Sequence, residues 1–140
     1  MKAEIVAETR RWLGTPYRHQ AAARGAGCDC LGLVRGVWRT IYGAEPQTVP
    51  PYSADWRDRG AGNGLEAAAL RHLIVRDGPP QPGDLIVFAL IRHRPPRHCG
   101  ILAEESRFIH AQEHLGVVEA ALTDAWRRRI ARVFIFPEKH

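Results

Sequence analysis

The sequence predicts an α+β domain, with N-terminal helices packed on an antiparallel sheet of about five strands. Three observations carry this. Helical periodicity occupies the first half of the chain and short apolar strand patterns the second, which is the α+β order. The 140 residues suit one domain, so residues 1–140 are read as a single unit. Hydrophobic residues at 45% and charged residues at 25% speak against disorder, collagen-like repeats and a coiled coil.

The elements follow in order. Ala3 to Leu13 sets Ile5, Val6, Trp12 and Leu13 among charged residues, a short amphipathic helix that Gly14 stops. A loop of small residues runs from Thr15 to Gly27. Asp29 is a good N-cap for the strongest helix, where Cys30, Leu33, Val34, Val37, Trp38 and Ile41 share one face and Arg35 and Arg39 the other. Gly43 ends it. Glu45 to Gly64 reads as a long irregular connection, and a further helix spans Leu65 to about Ile74. After the Pro/Gly-rich turn at Gly78–Gly83, Leu85–Ile91 is a buried strand. Cys99–Ala103 (opened by His98), Arg107–Ala111 and Gly116–Ala120 are three more. A helical turn at Asp124–Arg128 precedes a last strand, Ile130–Phe136, closed by Pro137.

Charge and cysteine usage narrow the function classes. Lys+Arg number 20 against 15 Asp+Glu, a net +5, and since only Lys2 and Lys139 are lysines, 18 of the 20 are arginine. The arginines are scattered, with one tight cluster at Arg127–Arg129. There is no basic stripe interleaved with aromatics, so specific nucleic-acid binding is not expected. No apolar run is long enough for a membrane span or a secretory signal, so the chain is expected to be made in the cytoplasm. Three cysteines, an odd number, exclude a fully paired disulfide framework.

The candidate chemistry centres on Cys30. It sits in the first helical turn, where the helix dipole and unsatisfied N–H groups lower a thiol pKa, while Asp29 beside it acts the other way. A small buried hydrophobe is the competing role. His98 and His110 favour catalysis, because a thiol nucleophile needs a base and the base needs a group to orient it. The two histidines share a sheet face only if the hairpin loop at Glu105-Ser106 has odd length; His110 then lies diagonal to His98, about 7–8 Å away at the backbone. Cys28, Cys30, His98, Cys99 and His110 are all possible zinc ligands, but their spacing matches no zinc motif, so no metal is expected. Cys28 and Cys99 read as packing residues, and His19, His72, His93, His114 and His140 as solvated.

Asp29-Cys30-Leu31-Gly32-Leu33, Pro82-Gly83-Asp84-Leu85, His98-Cys99-Gly100-Ile101 and Phe108-Ile109-His110-Ala111 resemble, in order and spacing, the NlpC family of papain-like cell-wall peptidases. The resemblance runs from about Thr9 to Phe136. It implies a small papain-like domain with Cys30 as nucleophile, His98 as general base and acid, and His110 orienting His98. It implies amide hydrolysis in the peptide stems of peptidoglycan, often at the link between D-glutamate and a diamino acid, with no cofactor. Tyr17 matches the family tyrosine that borders the nucleophile, and Asp29 the aspartate that can meet the free amine of a stem peptide. Leu31 replaces a frequent serine, and Arg18-His19-Gln20 stands where many members have paired glycines; both departures fall on the substrate side.

Tyr17-Arg18-His19-Gln20 with the Cys28–Arg35 segment resembles the branch found in phage tails and phage-like gene transfer agents. That branch implies tail hub or tail-fibre partners and action at the cell wall from a tail particle. The rival readings are an inactive structural tail-tip protein on the same fold, and an amidase or acyltransferase with a non-wall substrate.

Overall fold

The structure, a computed structural model, describes residues 1–46, 64–91 and 96–139. Most of the Glu45–Gly64 connection, His93 and His140 lie outside the described residues.

Helix α1 (Lys2–Arg10) buries Ile5, and also Glu8 and Thr9. The helix is shorter than its apolar pattern suggests. Residues 11–14 form tight turns in which Trp12 N–H donates to Thr9 O and Leu13 N–H to Arg10 O. Trp12 is driven inward and Leu13 stays exposed. Buried Glu8 accepts from Trp12 Nε1 at 3.1 Å and Thr40 Oγ1 at 3.2 Å, and Arg24 lies 3.8 Å away. This is how a charged residue can occupy the interface between helices.

Strands β1 (Ala22–Ala23) and β2 (Gly27–Cys28) make a small ribbon within the expected loop. Helix α2 (Cys30–Tyr42) follows, capped by the Asp29 side chain on Gly32 N–H at 2.7 Å. It buries Cys30, Leu33, Val37 and Ile41, the expected face. On its other side Arg35 and Arg39 both hold Glu45. Partial burial would raise the Glu45 pKa, but the hydrogen bonds and charges of the two arginines outweigh it and hold it low.

Helix α3 (Leu65–His72) ends before the expected Ile74. The β-branched pair Ile74-Val75 instead forms strand β3 (Ile74–Val75) on the edge of the sheet, where branched side chains suit an extended backbone. The remaining strands are β4 (Leu85–Phe88), β5 (His98–Glu104), β6 (Arg107–Gln112), β7 (Gly116–Ala121) and β8 (Ile130–Ile135), with a short helix α4 (Asp124–Arg127) between the last two. The sheet order is β3-β8-β4-β5-β6-β7 with antiparallel pairing throughout. Among the described residues it therefore has six strands, one more than expected.

The sheet divides two apolar clusters. On one face α1 and α2 pack with Leu85, Val87, Cys99, Ile101, Ile109 and Phe134. On the other, Ile86, Phe88, Leu102, Phe108 and Leu122 form a smaller core covered in part by Trp126 and Ile130. Alternation along the strands assigns each residue to its face.

The Pro82-Gly83-Asp84-Leu85 turn is fixed by a buried ion pair. Asp84 is 1% exposed and accepts from Arg76 Nη2 at 3.2 Å, from Arg76 Nε, and from Gln81 N–H at 2.8 Å. Removing one partner of a buried pair strands the other charge. Arg76→Ala should therefore cost about 3 kcal/mol in denaturant unfolding. A loss below about 0.5 kcal/mol would mean that the backbone donor at Gln81 suffices.

Candidate active site

The two histidines are brought together by an irregularity that their spacing does not reveal. Glu104 pairs with Arg107 across the turn Glu105-Ser106, so the turn itself is of even length. Taken alone, that turn would put His98 and His110 on opposite faces. The register then shifts between Leu102 and Glu104, so that Leu102 faces Phe108 and Ile101 faces Ile109. Ala103 is the extra residue of a β-bulge and restores the odd parity. His98 and His110 thus share a face, with His98 Nε2 2.7 Å from His110 Nδ1.

Gly100 makes room for this contact. The register continues to place it opposite His110, and a Cβ there would lie 2.9 Å from Ile109 O and Phe108 Cδ2 and 3.1 Å from His110 Cβ. A larger residue would push the imidazole aside.

His110 is buried at 1% exposure. Burial, and then the charge on His98, push its pKa down to about 3, with the Cys30 thiolate acting weakly the other way. It is a neutral imidazole at physiological pH. Its Nε2 is buried and has no hydrogen-bond partner among the described residues.

Cys30 approaches from the helical side of the sheet. Its Sγ lies 3.8 Å from Arg97 O, the peptide that leads into His98, and Cys99 Sγ lies 3.4 Å from Cys30 O. Cys99 points into the helix-side core while His98 turns to the other face, so the thiol sits at the rim of the sheet where β5 begins. Cys28 is fully buried. Burial, then the charges of Asp29 and Cys30, push its thiol up to about 12; it stays a neutral packing group.

Tyr17 is half-buried against the main core and makes a parallel bridge to Cys28. Arg18 N–H donates to Cys28 O and Cys28 N–H to Pro16 O, both at 3.0 Å, which fixes Tyr17 beside Cys28, two residues before Cys30. Asp29 is 1% exposed; beyond its cap bond it accepts from Gln20 N–H at 2.8 Å, and His19 lies 3.9 Å away. Its carboxylate thus ties the loop after Tyr17 to the start of α2. Of the remaining histidines, His114 is exposed. His72, expected to be solvated, is half-buried at the end of α3, where burial and then Arg71 lower its pKa.

The aromatic surroundings of the pair had no clear sign in the sequence. Phe88 and Phe108 line them from β4 and β6, and Trp126 from α4. The one hint was an aromatic residue inside the arginine-rich Asp124–Arg129 segment.

A family model described as the NlpC/P60 family matches residues 14–134. A Haemophilus influenzae protein named "Probable endopeptidase" is 28% identical over 124 residues, covering 89% of this chain and 67% of its own length. The Escherichia coli protein named murein DD-endopeptidase MepS/murein LD-carboxypeptidase is 25% identical over 131 residues, covering 92% and 60%. The chain thus spans three fifths to two thirds of these relatives. Among solved structures, the NlpC/p60 domain of the peptidoglycan hydrolase SagA superposes with a TM-score of 0.61 at 21% identity, covering 96% of this chain and 97% of that one. NlpC2 from Trichomonas vaginalis gives 0.65 at 19%, covering 99% and 47%. At these identities the structural likeness concerns the fold.

The neutral state of His110 has a consequence for stability. The unfolded imidazole takes up its proton near 6.5 and the folded one only near 3. Between these values the unfolded state binds more protons, so stability is full above the upper value and falls as pH drops, by at most about 1.4 kcal/mol per pH unit. Unfolding curves at about pH 7 and pH 5 should show this fall in the wild type and a smaller one in His110→Gln. Equal falls in the two proteins would contradict a buried neutral His110.

Proposed function

The chain belongs to the NlpC/P60 family, and on that premise we propose that it is a cysteine peptidase hydrolysing amide bonds in the peptide stems of peptidoglycan. The observation that carries this reading is the 2.7 Å bond between His98 Nε2 and His110 Nδ1, set beside a cysteine at a helix N terminus. Relatives named as an endopeptidase and a murein endopeptidase support the substrate class.

The chemistry follows from which nitrogens are occupied. His98 uses Nε2 on His110, leaving Nδ1 to take the Cys30 proton. The thiolate attacks the scissile carbonyl and a carbon–sulfur bond forms. Negative charge develops on the carbonyl oxygen near the N terminus of α2, where the helix dipole favours it. The carbon–nitrogen bond breaks as the His98 imidazolium gives its proton to the leaving amine. Water, deprotonated by His98, then hydrolyses the thioester and restores the thiol.

Tyr17 borders the nucleophile on the substrate side. Asp29 meets the free amine of a stem peptide through the carboxylate that also caps α2. The enzyme's place is a tail component of a phage-like particle, with tail hub or tail-fibre proteins as partners, aiding wall penetration. Tyr17–Gln20 and Cys28–Arg35 support that place by their resemblance to the tail branch. Mass spectrometry of purified particles tests it, and absence of the chain from them removes it.

Zymography on purified sacculi tests the activity. Wild type should clear the wall, Cys30→Ala and His98→Ala should not, and His110→Gln should be slowed by roughly 10–100-fold. Clearing by Cys30→Ala would end the cysteine mechanism, and no clearing by wild type would favour an inactive structural protein or a non-wall substrate. Asp29→Asn separates the two roles of Asp29, because asparagine caps a helix as well as aspartate. It should leave stability within about 1 kcal/mol and raise KM for stem peptides bearing a free amine. An unchanged KM assigns Asp29 to the cap alone.

A further inference from the structure

The His98–His110 bond can be made with either of two proton placements, and only one leaves a base. If the shared proton belongs to His98 Nε2, then His98 Nδ1 is a bare acceptor that can take the thiol proton, and His110 carries its own proton on the buried Nε2. If the shared proton belongs to His110 Nδ1, then neutral His98 carries its proton on Nδ1 and cannot act as base; the buried His110 Nε2 is then a bare lone pair. The 2.7 Å contact fits both.

The difference between the two falls on His110 Nε2, which is buried and has no hydrogen-bond partner among the described residues. Around the pair the neighbours are rings. Phe108 lies 4.5 Å from the His110 centroid. Trp126 lies 5.4 Å away with its plane at 80°, and also 6.0 Å from His98. Trp126 is itself held edge-on against Phe88 at 5.0 Å and Phe108 at 5.2 Å. Its helix is fixed by Thr123, whose hydroxyl accepts from Trp126 N–H. Aromatic faces are negative. They attract an N–H and repel a lone pair. A ring face turned to this nitrogen would favour the placement that puts a proton on it, which is the placement that frees His98 Nδ1.

We propose that Trp126 is a positioning residue: its ring, nearly perpendicular to His110 at 5.4 Å, turns a face to His110 Nε2, keeps water from the His98–His110 bond, and holds the shared proton on His98 Nε2 so that Nδ1 faces Cys30 as a base. The role rests on the peptidase reading for its purpose, while the proton placement itself can be measured without any substrate.

The test is nitrogen NMR of the imidazoles at neutral pH in the full chain, for wild type, Trp126→Phe, Trp126→Leu and Trp126→Ala. Wild type and Trp126→Phe should show His98 protonated at Nε2 and bare at Nδ1. Trp126→Leu, which fills space without a π face, should mix the two tautomers, as should Trp126→Ala; if the alanine variant does not fold, the leucine variant decides. Sacculus hydrolysis should follow the same order, with kcat down roughly tenfold or more in Trp126→Leu and KM within about twofold. His98 protonated at Nδ1 in wild type, or an unchanged tautomer in Trp126→Leu, would overturn the proposal. The expected tautomers in a protein that cleaves no wall would leave this inference standing and remove the peptidase reading instead.

Discussion

The contact on which the site depends is the hydrogen bond between two imidazoles on neighbouring strands. It demands that His98 and His110 share a sheet face, that nothing bulky stand between them, and that the inner ring stay neutral. Each demand has its own device. The bulge at Ala103 corrects the parity of an even turn. Gly100 leaves the space that a Cβ would fill. Burial lowers the His110 pKa far enough that the pair does not accumulate two positive charges near neutrality.

The second half of the site is built from the other side of the sheet. Asp29 fixes the start of α2 and, through Gln20 N–H, the loop that follows Tyr17. The bonds between the Pro16–Arg18 segment and Cys28 hold that loop against the helix entry. Cys30 is thereby carried to the rim of the sheet beside the Arg97 peptide. A single buried carboxylate thus ties together the start of the helix that carries Cys30 and the loop that carries Tyr17. Substitutions at Asp29 must therefore be read through this geometry.

The basic balance also takes on a more local meaning. Many arginines are spent inside the molecule: Arg10 and Arg107 on Glu119, Arg35 and Arg39 on Glu45, Arg76 on Asp84, Arg132 on Glu66. In the Arg127–Arg129 cluster, Arg127 donates to Glu105 O and Arg129 to Ala125 O. Arg10–Glu119 and Arg132–Glu66 join segments distant in sequence and the other ion pairs join nearer neighbours; in both cases formal charge overstates the positive surface free to meet a partner.

The sequence by itself determined the order of helices and strands and the capped helix with Cys30 at its start, and it singled out His98 and His110 as that cysteine's candidate partners. These are legible because capping, periodicity and motif spacing act over a few residues and leave a local mark. It misread Leu65–Ile74 as one helix, because the fate of Ile74-Val75 depends on an open edge of β8 far away in the chain. It left the facing of the two histidines conditional on a loop length, and the bulge that decides it has no signature in Leu102-Ala103-Glu104. It gave no reason to place Trp126 over the imidazoles. Those features were decided only by the tertiary structure, since register, burial and the packing of rings are properties of surfaces brought together from distant segments, and a local pattern carries no record of what it will meet.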